Sequence, residues 1–238
     1  DQIDLALEYG QGAVRREPEN PAAFLFLSNV WTLKGRFNEA LAVLEQSSPV
    51  VKSSYPVALE RARLIHKVHG MKRALEALEK LVKDHPEEPG LLGYLANIQA
   101  ECGEAKLAER YGFKALRLNP NQPELALMLG RLQRKSSQLD QAVYLLSETI
   151  RLAPDCLEAY LELASVFHER REYSQALEIY RQAMQIAPND HQAFYQSGLI
   201  LRDSKDYAGA EAMLRRAANI APDNLTIRRQ LVAVIALN

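Results

Sequence analysis

Apolar residues recur at helical spacing, and the pattern returns after a fixed interval. The segments LAPDC (152–156), IAPND (186–190) and IAPDN (220–224) stand 34 residues apart. Pro86, Pro120, Pro154, Pro188 and Pro222 keep that interval, and Pro18 lies two intervals before Pro86; the rung between them is Lys52. Twelve residues before each rung stands an alanine: Ala6, Ala40, Ala74, Ala108, Ala142, Ala176 and Ala210. A self-similar period in this range is the signature of a stacked repeat.

With the proline at position thirty-two, full repeats run 21–54, 55–88, 89–122, 123–156, 157–190 and 191–224. A half repeat (1–20) precedes them and a terminal helix (225–238) follows, so 1–238 reads as a single array. Position eight reads Ser28, Ala62, Ala96, Gly130, Ala164 and Gly198; position three is apolar throughout. Apolar columns at three, seven, ten and eleven form one helical stripe. Small residues at eight and twenty let two helix backbones approach closely. Turn residues follow near position fifteen, as in KGRF (34–37), VHGM (68–71) and ECGE (101–104). A second amphipathic helix then runs to the proline, which ends it; the Asn or Asp after it caps the next helix. Each repeat is therefore a helical hairpin, and hairpins that cannot bury their own apolar faces stack on one another.

These columns resemble the tetratricopeptide repeat (TPR) family: 34 residues, a small residue at eight, alanine at twenty, an aromatic near seventeen (Phe37, Tyr173, Tyr207) and proline at thirty-two. The resemblance runs through the whole chain. It implies an all-α fold, a right-handed α-solenoid of stacked antiparallel hairpins. Departures are local. Arg61 and Ser197 stand at position seven, where leucine is usual. SSPVVKSS (47–54) places Pro49 inside a second helix and lacks the closing proline, so that helix is expected to end early. The chain starts at position fifteen and stops at position fourteen, and it begins without Met; we expect it to be a piece of a longer protein. Its terminal helices then expose apolar faces open to end-to-end self-association.

The resemblance implies a concave groove lined by the first helices. Its floor and rim are assigned by position to Arg63, His66, Lys67, Tyr94, Asn97, Leu127, Met128, Arg131, Arg134, Lys135, Leu161 and Tyr195. Arg63, His66 and Lys67 occupy the same positions as Arg131, Arg134 and Lys135, two repeats apart, and each triplet shares one helix face. Basic groups beside Tyr94, Leu127 and Met128 suit a protein or peptide segment with acidic and apolar residues. The family's carboxylate clamp is absent, because position five holds Leu25 and Gly93 and position six holds Glu60 and Met128. The asparagine ladder of its sugar-transferring relatives is absent too.

Composition narrows the function classes. The charge is −1 with 25% charged residues, which does not suit a general nucleic-acid binder. No run of about 18 apolar residues predicts a membrane span, and DQIDLALEYG has no signal-peptide pattern. A cytoplasmic location is the expectation. Cys102 and Cys156 form no metal spacing, and no cofactor motif occurs. His66 and His69 share a helix without a nearby ligand set, and His168 with Glu162 and Glu169 reads as a solvated face rather than acid–base machinery. The reading is a non-catalytic interaction scaffold binding a segment in its groove. The alternative is the repeat arm of a multidomain enzyme, such as a transferase, that positions substrate or sets oligomeric state.

Overall fold

The computed structural model describes residues 2–238. They form fifteen helices, with no strand among the described residues. The chain divides into two compact units, Asp1–Pro120 and Asn121–Asn238.

The amino-terminal unit holds α1 (Gln2–Arg16), α2 (Pro21–Leu33), α3 (Phe37–Glu45), α4 (Pro49–Ser53), α5 (Tyr55–His69), α6 (Met71–Asp84), α7 (Pro89–Glu101) and α8 (Ala105–Leu118). The carboxy-terminal unit holds α9 (Pro123–Lys135), α10 (Leu139–Leu152), α11 (Leu157–Glu169), α12 (Tyr173–Ile186), α13 (Gln192–Asp203), α14 (Tyr207–Ile220) and α15 (Leu225–Ile235). Sequential helices pack as hairpins: α2 on α3, α5 on α6 and α7 on α8, then α9 on α10, α11 on α12 and α13 on α14. Within each unit the second helix of a hairpin also packs on the first helix of the next, as α10 does on α11 and α12 on α13.

The alanine column shows why the hairpins close. Ala40, Ala74, Ala108, Ala142, Ala176 and Ala210 are all 0% exposed. Opposite them sits position eight. Ser28 Oγ donates to the Ala40 carbonyl at 3.1 Å. A Cβ on Gly198 would lie 2.7 Å from Leu214 Cγ and 3.3 Å from the Ala210 carbonyl oxygen. Larger side chains in either column would push the helices apart and open voids.

Between the paired helices the backbone turns through the left-handed region. Gly35 (φ 72°) and Gly103 (φ 83°) do so in the amino-terminal unit, as does Gly70 (φ 83°) one position later. In the carboxy-terminal unit the residues are Ser137 (φ 61°), Arg171 (φ 60°) and Lys205 (φ 66°). Second helices start at position seventeen: Phe37, Met71, Ala105, Leu139, Tyr173 and Tyr207.

Pro49 acts as expected. Helix α3 stops at Glu45 after 9 residues, where α6, α8, α10, α12 and α14 each have 14. Pro49 instead opens the short helix α4, and Ser48 caps it by accepting the Val51 N–H at 3.3 Å. Val51 and Val57 are fully buried in the core beside Leu44, so the irregular link still seals the hairpin.

Candidate functional site

The twelve groove residues proposed from the sequence fall into two sets, one in each unit. Each set is assembled by neighbouring first helices.

In the amino-terminal unit, Arg63, His66 and Lys67 lie on one face of α5, and α7 brings Tyr94 against them. His66 Nδ1 and the Tyr94 hydroxyl share a 3.0 Å hydrogen bond. The other imidazole nitrogen, Nε2, lies 3.9 Å from Glu101 Oε2. The Arg63 guanidinium stands over the Tyr94 ring at 5.5 Å and 3.6 Å from Glu60 Oε2. The Lys67 ammonium lies 5.0 Å from the centre of the Phe37 ring. Such cation–ring contacts are worth about 0.5–1 kcal/mol at exposed sites. Burial pushes the Tyr94 phenol up to about 12, partly opposed by the Arg63 charge. Arg63, His66, Lys67 and Tyr94, with Thr32, Glu60 and Leu64, line a cleft of about 400 Å³. Its Thr32 Oγ1 is buried without a hydrogen-bond partner. Asn97 is half-buried on α7.

In the carboxy-terminal unit, α9 carries Arg131, Arg134 and Lys135. Two of these cations are neutralised by α11. Arg131 Nε donates to Glu162 Oε1 at 2.9 Å. Arg134 Nε is 3.0 Å from Glu162 Oε2, close enough for an ion pair but not aligned as a hydrogen bond. Arg134 also donates from a terminal nitrogen to Glu169 Oε1 at 2.5 Å. Burial works against the charged form of Arg134, but Glu169 and Glu162 outweigh it and raise its pKa. Lys135 is exposed. Leu127 packs against the Ala142–Leu146–Leu163–Val166 core, and Leu161 against the Tyr160–Ala164–Tyr180 core. Both therefore serve the core as well as the surface; Met128 is half-buried. Arg134, Leu161, Glu162, Ser165, Tyr180 and Tyr195 line a second cleft, of about 440 Å³. At its base the Ser165 hydroxyl donates to the Leu161 carbonyl at 2.8 Å, and the Tyr180 hydroxyl reaches Ser165 Oγ at 3.3 Å. Burial raises the Tyr180 pKa.

The Arg–Glu network was not legible as pairs in the charge pattern. The signal was the separation: Arg131 to Glu162 is 31 residues and Arg134 to Glu169 is 35, about one repeat length. Residues one repeat apart in the first-helix register are neighbours. His66 and Tyr94, 28 apart, follow the same rule. His168 stacks edge-on to Tyr173 at 5.7 Å. Among the described residues no group of three His, Cys, Asp or Glu side chains is placed to hold a metal ion.

Family models described as the tetratricopeptide repeat match residues 127–191 and 191–224. The chain carries tetratricopeptide repeats. Solved structures share its fold. YrrB, a TPR protein with an unusual peptide-binding site, is 22% identical, with 81% of this chain and 96% of that chain covered at a TM-score of 0.68. MamA is 20% identical, covering 69% and 96% at 0.66. The C-terminal part of a TPR repeat-containing protein from Cytophaga hutchinsonii is 15% identical, covering 97% and 95% at 0.75. No curated protein matches the chain in sequence. A TPR array is an interaction module, and no described helix is long and apolar enough to cross a membrane.

Proposed function

We propose that this TPR protein is a non-catalytic scaffold that holds a peptide or protein segment against the exposed faces of its first helices. The observation that carries the reading is the α5–α7 cleft. Tyr94 gives it an aromatic wall over the buried Leu64, and Arg63, His66 and Lys67 line it together with Glu60. An aromatic wall with cations at the rim suits a segment that alternates apolar and acidic side chains. The carboxy-terminal unit offers a second, more polar cleft. There the Arg131–Glu162–Arg134–Glu169 network holds the side chains in fixed positions. Fixed donors and acceptors favour hydrogen bonding to a backbone over attraction of net charge. The peptide-binding site of the similarly folded YrrB is consistent with this use of the fold.

The test is affinity capture from the native host's lysate with wild type beside Tyr94→Ala/Lys67→Glu. Arg131→Glu/Arg134→Glu is a poorer probe, because it also breaks contacts between α9 and α11. A protein held by wild type and lost by the Tyr94/Lys67 variant supports the reading. Retention of the same set by both baits removes it.

A further inference from the structure

We propose that the cleft between α5 and α6 is a second binding site, for a phosphoryl group. The cleft encloses about 400 Å³ and is lined by Arg61, Arg73, Lys80, Glu76, Asp84 and His85 over an alanine- and leucine-lined floor. It lies on the side of α5 remote from Arg63 and Lys67, since residues 58, 61, 62 and 65 share one helical stripe and 63, 66 and 67 another. It is therefore independent of the peptide-binding reading.

Two observations point to an anion, and a third describes the rim of the cleft. Arg61 occupies a position where the family usually places leucine, and its Nε is buried without a hydrogen-bond partner. A buried guanidinium donor left unmet costs stability that a leucine would not. Second, Arg61, Arg73 and Lys80 make no ion pair among the described residues, although Glu76 and Asp84 line the same cleft. Third, the hairpin before the cleft is the shortened one. Its last helix is α4, and Ser53 of that helix forms one edge of the cleft.

The choice of anion follows from charge and from the number of donors. Glu76 and Asp84 share the lining, so a single carboxylate would gain little from the three cations. A phosphate monoester carries nearly two charges at neutral pH and three acceptor oxygens. Two guanidinium forks and an ammonium can each take a different oxygen. Free phosphate and a phosphorylated side chain of a partner segment offer the same group.

The experiment uses the full 238-residue chain labelled with nitrogen-15. Its Arg Nε–H and backbone amide resonances are followed while inorganic phosphate, and then a phosphoserine peptide of otherwise neutral sequence, is added at constant ionic strength. Chloride is the control. The expected result is a saturable shift of the Arg61 Nε–H and of amides over 58–85, absent with chloride. Equal affinity for both probes assigns the site to free phosphate, and about tenfold tighter binding of the peptide assigns it to a phosphorylated partner. Arg61→Leu should abolish the amide shifts over 58–85. Arg73→Gln, at an exposed position, should weaken binding severalfold without touching the core. No saturable shift with either probe, or shifts unchanged in both variants, overturns the proposal.

Discussion

In the amino-terminal unit the hairpin turns are made by Gly35, Gly70 and Gly103, all with positive φ and with open space where a Cβ would go. In the carboxy-terminal unit the turns are made by Ser137, Arg171 and Lys205, and two glycines sit elsewhere, at the helix crossing. A Cβ on Gly130 would lie 2.8 Å from Leu146 Cγ, and one on Gly198 2.7 Å from Leu214 Cγ. Glycine thus makes the hairpin turns in one unit and the tightest helix crossings in the other, although Gly10 of the amino-terminal unit also sits close to its neighbour, with a Cβ there 3.1 Å from Leu27 Cδ1. The first costs nothing in packing. The second lets α9 and α13 lie tight against their partners, and the three turns of that unit separately carry left-handed strain. Their polar faces differ in the same spirit. On the first-helix faces, Arg63 and Lys67 stand over aromatic rings, Arg63 also near Glu60, while Arg131 and Arg134 are locked to Glu162 and Glu169.

The contrast can be broken most severely at Gly198. Gly198→Val places two methyls against Leu214 and the Ala210 carbonyl and should cost about 3 kcal/mol, well beyond any gain in helix propensity. Urea unfolding followed by circular dichroism measures it; a neutral result would mean the crossing is not tight. Next comes Arg134→Gln, which leaves Glu162 and Glu169 short of a partner and should cost about 1–2 kcal/mol in the same assay.

Exchanging the turns is a smaller effect of opposite sign in the two units. Gly35→Ala should destabilise by about 1 kcal/mol, because an alanine pays for the left-handed conformation. Ser137→Gly, Arg171→Gly and Lys205→Gly should each stabilise by about 0.5 kcal/mol, the relief of strain being partly offset by a freer unfolded chain. If glycine helped in neither place, the division of roles would be wrong.

The smallest effect is a pH dependence at Tyr94. Its pKa rises from 10.0 to about 12 on folding, so the neutral phenol is the favoured form in the cleft. That stability is fully present below pH 10 and is lost as pH rises through about 12. Tyr94→Phe should therefore shift the alkaline unfolding midpoint slightly upward, and should remove the last-titrating share of the phenolate absorbance.

What was legible in the sequence divides along the same line. The buried alanine column was readable because one residue type recurs at one interval, and the six alanines from Ala40 to Ala210 are all fully buried. The early end of α3 was readable from Pro49. The turns of the carboxy-terminal unit were not: serine, arginine and lysine adopt positive φ only because the packed helices on either side demand it, and composition carries no mark of that demand. Register placed each basic triplet on one helix face, but the partners of those side chains were not legible, because the reading followed each helix singly. Glu162 and Glu169 lie across the gap between hairpins, and the repeat length is the ruler that links them to Arg131 and Arg134. Arg61 was visible as a departure at position seven; that its Nε would be buried and unmet required the neighbouring helix.

The central claim is that a partner segment lies on the first helices. Hydrogen exchange of the full chain, alone and with the partner captured by wild type, tests it most directly. Added protection should fall on α5 and α7 and on α9, α11 and α13, with α6, α8, α10, α12 and α14 unchanged. Protection confined to the second helices, or to the terminal helices α1 and α15, would contradict the account.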